Sequence, residues 1–255
     1  MAVRSMLDTL LTPGALTTLF QPIVEERSGE SRVYGYECLT RGPAGTNFES
    51  ADVLFEYARL KGAEAIVDRA CIAQALATAE QWPTRPSLAI NVHASTLSRD
   101  PGFPRDLIAA ARTRGFEPEQ IVVEIVEHSP ILNHRDFITC LENLRAAGFR
   151  IAVDDVGRGY SNFKMMLDCA PDYLKIEREF TSAAATDRGH YAVVESVLSF
   201  ANRVGARVVA EGVEEEEDRA FLIGIGIELL QGYFYARPMS DTDAFRFTTS
   251  TKTKE

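Results

Sequence analysis

Short apolar, β-branched runs alternate along the chain with longer segments of helical period. Leu88-Ala89-Ile90, Ile121-Val122-Val123 and Val208-Val209-Ala210 carry no polar face, as expected of strands covered on both sides in a parallel sheet. Strands are expected at about Thr17–Val24, Arg32–Leu39, Ser87–Val92, Gln120–Glu127, Arg150–Asp155, Asp172–Glu177, Arg207–Glu211 and Glu228–Tyr235, which makes eight. Helical period occupies Ala51–Gln81, Pro104–Arg114, Asn133–Ala147, Arg188–Val204 and Glu214–Ile223, with Asp241–Phe247 at the end. Strand and helix in this rhythm predict a parallel sheet with helices outside, an α/β chain of the TIM-like (β/α)8 barrel class. The first two strands depart from it. Only Glu25 to Ser31 separates them, too little for a crossover helix, so the first strand is expected antiparallel in a hairpin turning at Ser28-Gly29-Glu30.

Polar residues close the apolar runs one at a time. Glu37, Asn91, Glu124, Asp154 with Asp155, Lys175, Glu211 and Gln231 recur at intervals of 54, 33, 30, 21, 36 and 20 residues, which places all of them at one barrel mouth. Five carboxylates in one mouth repel each other, and bound divalent cations are the usual remedy. The chain therefore reads as a metal-dependent hydrolase.

Length and charge narrow this further. The 255 residues are close to the roughly 250 of one barrel, so one domain over 1–255 is expected, with an N-terminal helix in about 1–15 and a frayed tail from Thr248 to Glu255. A net charge of −10 argues against a general affinity for nucleic-acid polymers or anionic membranes, so a phosphate-bearing substrate has to be met locally by cations and a few basic side chains. Cys38, Cys71, Cys140 and Cys169 show no C-x-x-C spacing, no window approaches a membrane span, and the first residues lack a signal-peptide core. A soluble cytoplasmic protein with reduced thiols is expected.

Individual positions differ in how much they say. Strand alternation puts Glu37 on the mouth face and Cys38 on the opposite one; the alternative for Glu37 is a strand-end carboxylate paired with Arg41. Glu124 is read as a metal ligand, and Glu127, where strand becomes loop, as the holder of a neighbouring loop or a helix-start residue. Asp154-Asp155 leads into Val156-Gly157-Arg158-Gly159-Tyr160-Ser161, and adjacent aspartates on a sharp turn can bridge two cations; a capped turn is the alternative. Lys175 lies within an apolar run, where a buried ammonium requires anionic partners, for catalysis or as a structural ion pair. Gly212, after Glu211, lets backbone pass close to its surroundings.

Phe20-Gln21-Pro22-Ile23-Val24, Glu37-Cys38-Leu39-x-Arg41, Asn91-Val92, Glu124-Ile125-Val126-Glu127, Asp154 to Ser161, Asp172-Tyr173-Leu174-Lys175-Ile176, Glu211-Gly212-Val213-Glu214 and Gln231-Gly232-Tyr233 form an ordered set. Together they resemble the EAL domain, the bacterial cyclic di-GMP phosphodiesterase family, from about Gln21 to Pro238. The resemblance implies two Mg²⁺ or Mn²⁺ ions and hydrolysis of cyclic di-GMP to linear pGpG. It further implies that Glu37, Asn91, Glu124 and Asp154 hold the first metal, that Asp154 and Asp155 reach the second, and that Lys175 and Glu211 position and activate water. Gln21, Arg41 and Gln231 match positions that contact nucleotide or order the site. Glu127 matches the glutamate that anchors the loop after Asp155, through which members of the family pair as homodimers.

Three departures stand out. Cys38 replaces the usual alanine, Val156 and Arg158 replace Phe and Thr in the Asp-Asp loop, and His93 stands where Ser is frequent. The loop change motivates a competing expectation, a catalytically silent cyclic di-GMP receptor or interaction module; a barrel hydrolase acting on another phosphodiester is a further one.

Overall fold

The computed structural model describes residues 5–126, 131, 133–156 and 163–251. β1 (Thr17–Arg27) and β2 (Glu30–Arg41) form the expected antiparallel hairpin, and the parallel strands β3 (Ser87–His93), β4 (Ile121–Val126), β5 (Arg150–Val156), β6 (Tyr173–Ile176), β7 (Arg207–Ala210) and β8 (Leu229–Leu230) follow in order. β8 pairs back onto β1, antiparallel, and closes the barrel in the sequence β1 to β8. The TIM-like α/β barrel with an antiparallel first strand is therefore the fold.

The helices are α1 (Met6–Leu10), α2 (Ala51–Lys61), α3 (Glu64–Ala79), α4 (Ala94–Arg99), α5 (Phe103–Thr113), α6 (His134–Ala146), α7 (Phe163–Cys169), α8 (Arg178–Thr181), α9 (Arg188–Val204), α10 (Glu216–Gly224) and α11 (Asp241–Thr251). The continuous helical period over Ala51–Gln81 is two helices. Gly62 adopts φ 60°, a conformation a β-carbon disfavours, and it ends α2 before α3 begins. α11 also runs past Phe247, to Thr251: Thr248 is 8% exposed and its hydroxyl meets that of Tyr36 at 2.7 Å. At the other end α1 covers only part of 1–15, and Leu10 and Leu16 pack on Leu54, Ala58 and Val67 of α2 and α3. No helix among the described residues is long and apolar enough to cross a membrane.

Two apolar layers follow from strand alternation. The larger one lies between barrel and helices. The smaller one, a plug inside the barrel, comprises Ile23, Ala89, Val122, Ala152, Tyr173, Val209 and Leu229. Beneath it Arg150 donates to Tyr173 at 3.0 Å, and Glu25 is held by Arg207 and Arg32, so polar groups seal the lower end. The plug sets the floor of the mouth.

Candidate active site

Two residues beyond a plug residue a strand returns to the same face, one level higher. Ala89, Val122, Ala152, Tyr173 and Val209 are thus followed by Asn91, Glu124, Asp154, Lys175 and Glu211, and Leu229 by Gln231. On antiparallel β1 the count runs backwards, from Ile23 to Gln21. The polar residues at the strand ends are one layer of the barrel interior.

Lys175 is its centre. Its Nζ lies 2.6 Å from Glu211, 3.1 Å from Glu124, 3.2 Å from Asp154 and 3.4 Å from Glu37, and the residue is 1% exposed. Glu37 also accepts from Gln231 Nε2 at 2.7 Å and from Asn91 Nδ2 at 3.2 Å. The Arg41 pairing considered for Glu37 does not form: Arg41 donates instead to the Thr40 carbonyl, at 2.9 Å. The bond from Asn91 uses its NH₂ and leaves the amide oxygen as a cation donor. Gln21 donates to the Ala236 carbonyl at 3.3 Å and lines the mouth beside Gln231.

Asp154 and Asp155 are neighbours, and in a regular strand their side chains would diverge. Here β5 carries an irregularity against β6: Val153 faces Leu174 but Val156 faces Ile176, three steps against two. Asp155 takes φ 52°, a left-handed conformation that Asp tolerates better than most residues, and its N–H donates to Asp154 Oδ1 at 3.0 Å. Carboxylate oxygens of Asp154, Asp155 and Glu211 thereby come within 4.8 Å of one another. Gly212, with φ 66°, allows the chain after Glu211 to turn against Arg178, whose side chain a β-carbon would strike. The expected strand Glu228–Tyr235 shrinks to Leu229–Leu230; Gln231 is held past its end by its N–H on the Ala210 carbonyl at 2.9 Å.

Glu127 and Arg158 lie outside the described residues. Val156 is buried in the layer between barrel and helices, so Phe at this position would add volume to a packed region, a change that typically costs about 1–3 kcal/mol. Cys38 belongs to that same layer, as alternation requires. Cys38→Ala should accordingly leave divalent-cation affinity within about twofold and cost on the order of 1 kcal/mol of stability. Calorimetric metal titration and urea unfolding measure the two, and a collapse of metal binding would contradict the strand register.

Electrostatically the cluster has too many acids for one base. Burial raises Glu124 well above the carboxylate range and Glu211 to about 8, with repulsion among the acids adding to it and Lys175 opposing it; Asp154 moves up for the same reasons. Burial works to raise Glu37 as well, but Lys175, Gln231 and Asn91 outweigh it and its pKa falls. Burial alone would lower Lys175, yet the surrounding carboxylates, Asp154 first, hold it well above its ordinary value. An all-oxygen donor set of this kind fits hard divalent cations such as Mg²⁺ or Mn²⁺.

A family model for the EAL domain matches residues 4–238. The chain belongs to the EAL domain family. Over 155 residues this EAL domain is 33% identical to the cyclic di-GMP phosphodiesterase RocR of Pseudomonas aeruginosa, covering 61% of this chain and 39% of RocR. A standalone EAL protein from Vibrio cholerae, solved with cyclic di-GMP bound, superposes with a TM-score of 0.78 at 28% identity, covering 89% of this chain and 93% of that one. Klebsiella pneumoniae BlrP1, solved with manganese and cyclic di-GMP, gives 0.79 at 30% identity over 91% of this chain and 58% of BlrP1. The chain spans less than half the length of the curated relatives it matches, 30% of DosP and 39% of RocR.

The raised carboxylates give this EAL domain a pH signature. A carboxyl whose folded pKa is raised stabilises the fold fully below its unfolded value of 4.5, and that contribution is lost as pH rises through about 8. Metal-free protein should therefore melt at a lower temperature at pH 9 than at pH 7, with Mg²⁺ restoring the difference. Thermal melts in chelator at both pH values check this; equal midpoints would show that the acids are not driven together.

Proposed function

We propose that this protein is a metal-dependent phosphodiesterase that hydrolyses cyclic di-GMP to linear pGpG. The observation that carries the reading is the charge balance of the mouth. Among the described residues, Glu37, Glu124, Asp154, Asp155 and Glu211 against Lys175 leave a formal charge of −4, which two divalent cations cancel. Glu37, Asn91, Glu124 and Asp154 would hold one ion, Asp154 and Asp155 the other. Bound there, such ions supply charge neutralisation at a phosphoryl group and a water of lowered pKa.

This chain's own residues do the rest. Glu211, 2.6 Å from Lys175, accepts a proton from the attacking water, and the Lys175 ammonium balances charge developing on phosphorus. Gln231 fixes Glu37 by its amide and has its Oε1 buried with no partner among the described residues, so it can take a hydrogen bond from a ligand. Gln21 and Arg41 would contact the nucleotide, and Glu127, outside the described residues, keeps the role of anchor for the loop after Asp155 that the family pattern assigns it. α7, which follows that loop, exposes Leu167 (61%), an apolar group suited to pairing of two copies. All four cysteines are buried, in keeping with a place in the reducing cytoplasm.

Incubation with cyclic di-GMP and Mg²⁺ or Mn²⁺, followed by separation of nucleotides, tests the reading. Linear product supports it. Tight binding without turnover would make the protein a receptor, and neither binding nor turnover would remove cyclic di-GMP from the account.

A further inference from the structure

Glu211 stands one residue past the end of β7, and its two backbone groups are fixed from different sides. Its N–H donates to the Ile176 carbonyl at 3.0 Å, at the end of the strand that carries Lys175. Its carbonyl is met from outside the sheet. Thr181, the last residue of α8 and 1% exposed, places its hydroxyl 2.5 Å from the Glu211 carbonyl oxygen. The same hydroxyl lies 3.2 Å from the Arg178 carbonyl and 3.5 Å from that of Glu177; with one proton to give, it donates to the nearest of the three.

Arg178 of the same short helix secures the residues that follow. Its stem occupies the space beside Gly212 that a β-carbon would need, and its guanidinium forks Glu214, Nη1 to Oε1 at 2.7 Å and Nη2 to Oε2 at 2.9 Å. Only Glu177 separates α8 from β6, so the Glu211 backbone is tied twice to the stretch of chain that carries Lys175, whose Nζ lies 2.6 Å from the Glu211 carboxylate. With N–H and carbonyl both pinned, the backbone angles of Glu211 are set, and with them the direction of its Cα–Cβ bond. Thr181 itself is not among the residues that line the mouth, so its effect on turnover passes through Glu211. Resting on the reading of Glu211 as the acceptor of the water's proton, we propose that Thr181 is a positioning residue for the hydrolysis, its hydroxyl holding the Glu211 carboxylate on the attacking water by way of the Glu211 carbonyl.

Thr181→Val keeps the shape of the side chain and removes the donor. With cyclic di-GMP and Mn²⁺ it should lower kcat about 10-fold, the upper scale of one hydrogen bond, and leave KM and the half-saturating Mn²⁺ concentration within about twofold of wild type. Thr181→Ser returns the hydroxyl and should bring kcat back to within about threefold. Ser182→Ala removes the neighbouring hydroxyl, which donates to the Arg178 carbonyl at 2.8 Å and does not meet Glu211, and should change none of the three. A Thr181→Val protein with the kcat of wild type overturns the proposal, whatever its melting temperature. So does a loss that Thr181→Ser fails to restore, or one carried by KM or by the cation requirement. Should Thr181→Val fail to fold, Thr181→Ala removes the same donor and is read against Thr181→Ser in the same way. A wild type inert toward cyclic di-GMP brings down the function reading and this inference with it, whereas an active wild type matched by Thr181→Val brings down this inference only.

Discussion

Asp154→Asn should lose hydrolysis of cyclic di-GMP while keeping, or slightly raising, the stability of the metal-free protein. Asp154 is read as serving both cation sites, and its oxygen lies within 4.8 Å of oxygens of Asp155 and Glu211. Losing a mere outer partner of a metal ligand typically costs 10- to 100-fold, so removal of a shared ligand should exceed about 100-fold in turnover. Stability runs the other way. Burial and the neighbouring acids raise the Asp154 pKa, which means that its charged form is disfavoured in the folded state, and a neutral amide of the same shape relieves that repulsion. Product formation under saturating Mn²⁺ and a thermal melt in chelator measure the two effects. Retention of a tenth of wild-type turnover, or a fall of many degrees in the melting temperature, would remove Asp154 from the proposed ligand set. Glu37→Ala should abolish turnover too, but it also strips Gln231 and Asn91 of their acceptor and so reports less cleanly.

Lys175→Met should be inactive and, unlike Asp154→Asn, strongly destabilised without metal. Among the described residues the lysine is the one base at Glu37, Glu124, Asp154 and Glu211, all within 3.4 Å of its Nζ. Removing one partner of a buried ion pair typically costs about 3–5 kcal/mol, because the remaining charge is left uncompensated. Protonation of the acids cushions part of the loss at neutral pH, so the deficit should widen toward pH 9, and saturating Mg²⁺ should recover much of it. Urea unfolding in chelator at both pH values, repeated with Mg²⁺, gives the numbers. A variant as stable as wild type in chelator would mean that the acids tolerate each other unaided, and the argument for cations from charge balance would fail.

The opposite signs of these two effects derive from an arrangement only partly legible along the chain. Strand and helix positions were readable because apolar runs and helical period are local properties, and the hairpin was readable because a short connection excludes a crossover. Polar residues closing those runs had to meet once the strands were parallel and in one barrel. What local pattern could not reach was the split of Ala51–Gln81, since glycine is tolerated inside helices and only its φ of 60° shows that the chain turns there. The short β8 was equally hidden, because Glu228–Tyr235 has strand-like composition while its pairing ends after Leu230.

The sequence by itself determined the barrel class, the antiparallel start and the identity of the residues at the mouth, because periodicity and spacing are written residue by residue. Tertiary structure alone decided their partners. Gln231 meets Glu37 across 194 positions and Lys175 meets Glu124 across 51, distances at which only barrel closure and register bring side chains together. The irregular pairing of β5 turns Asp155 to the side of Asp154, and Asp68 of α3 orients His93, which alternation places on a strand without saying what holds its ring. Both outcomes depend on the packing of one element against another, which no local pattern encodes.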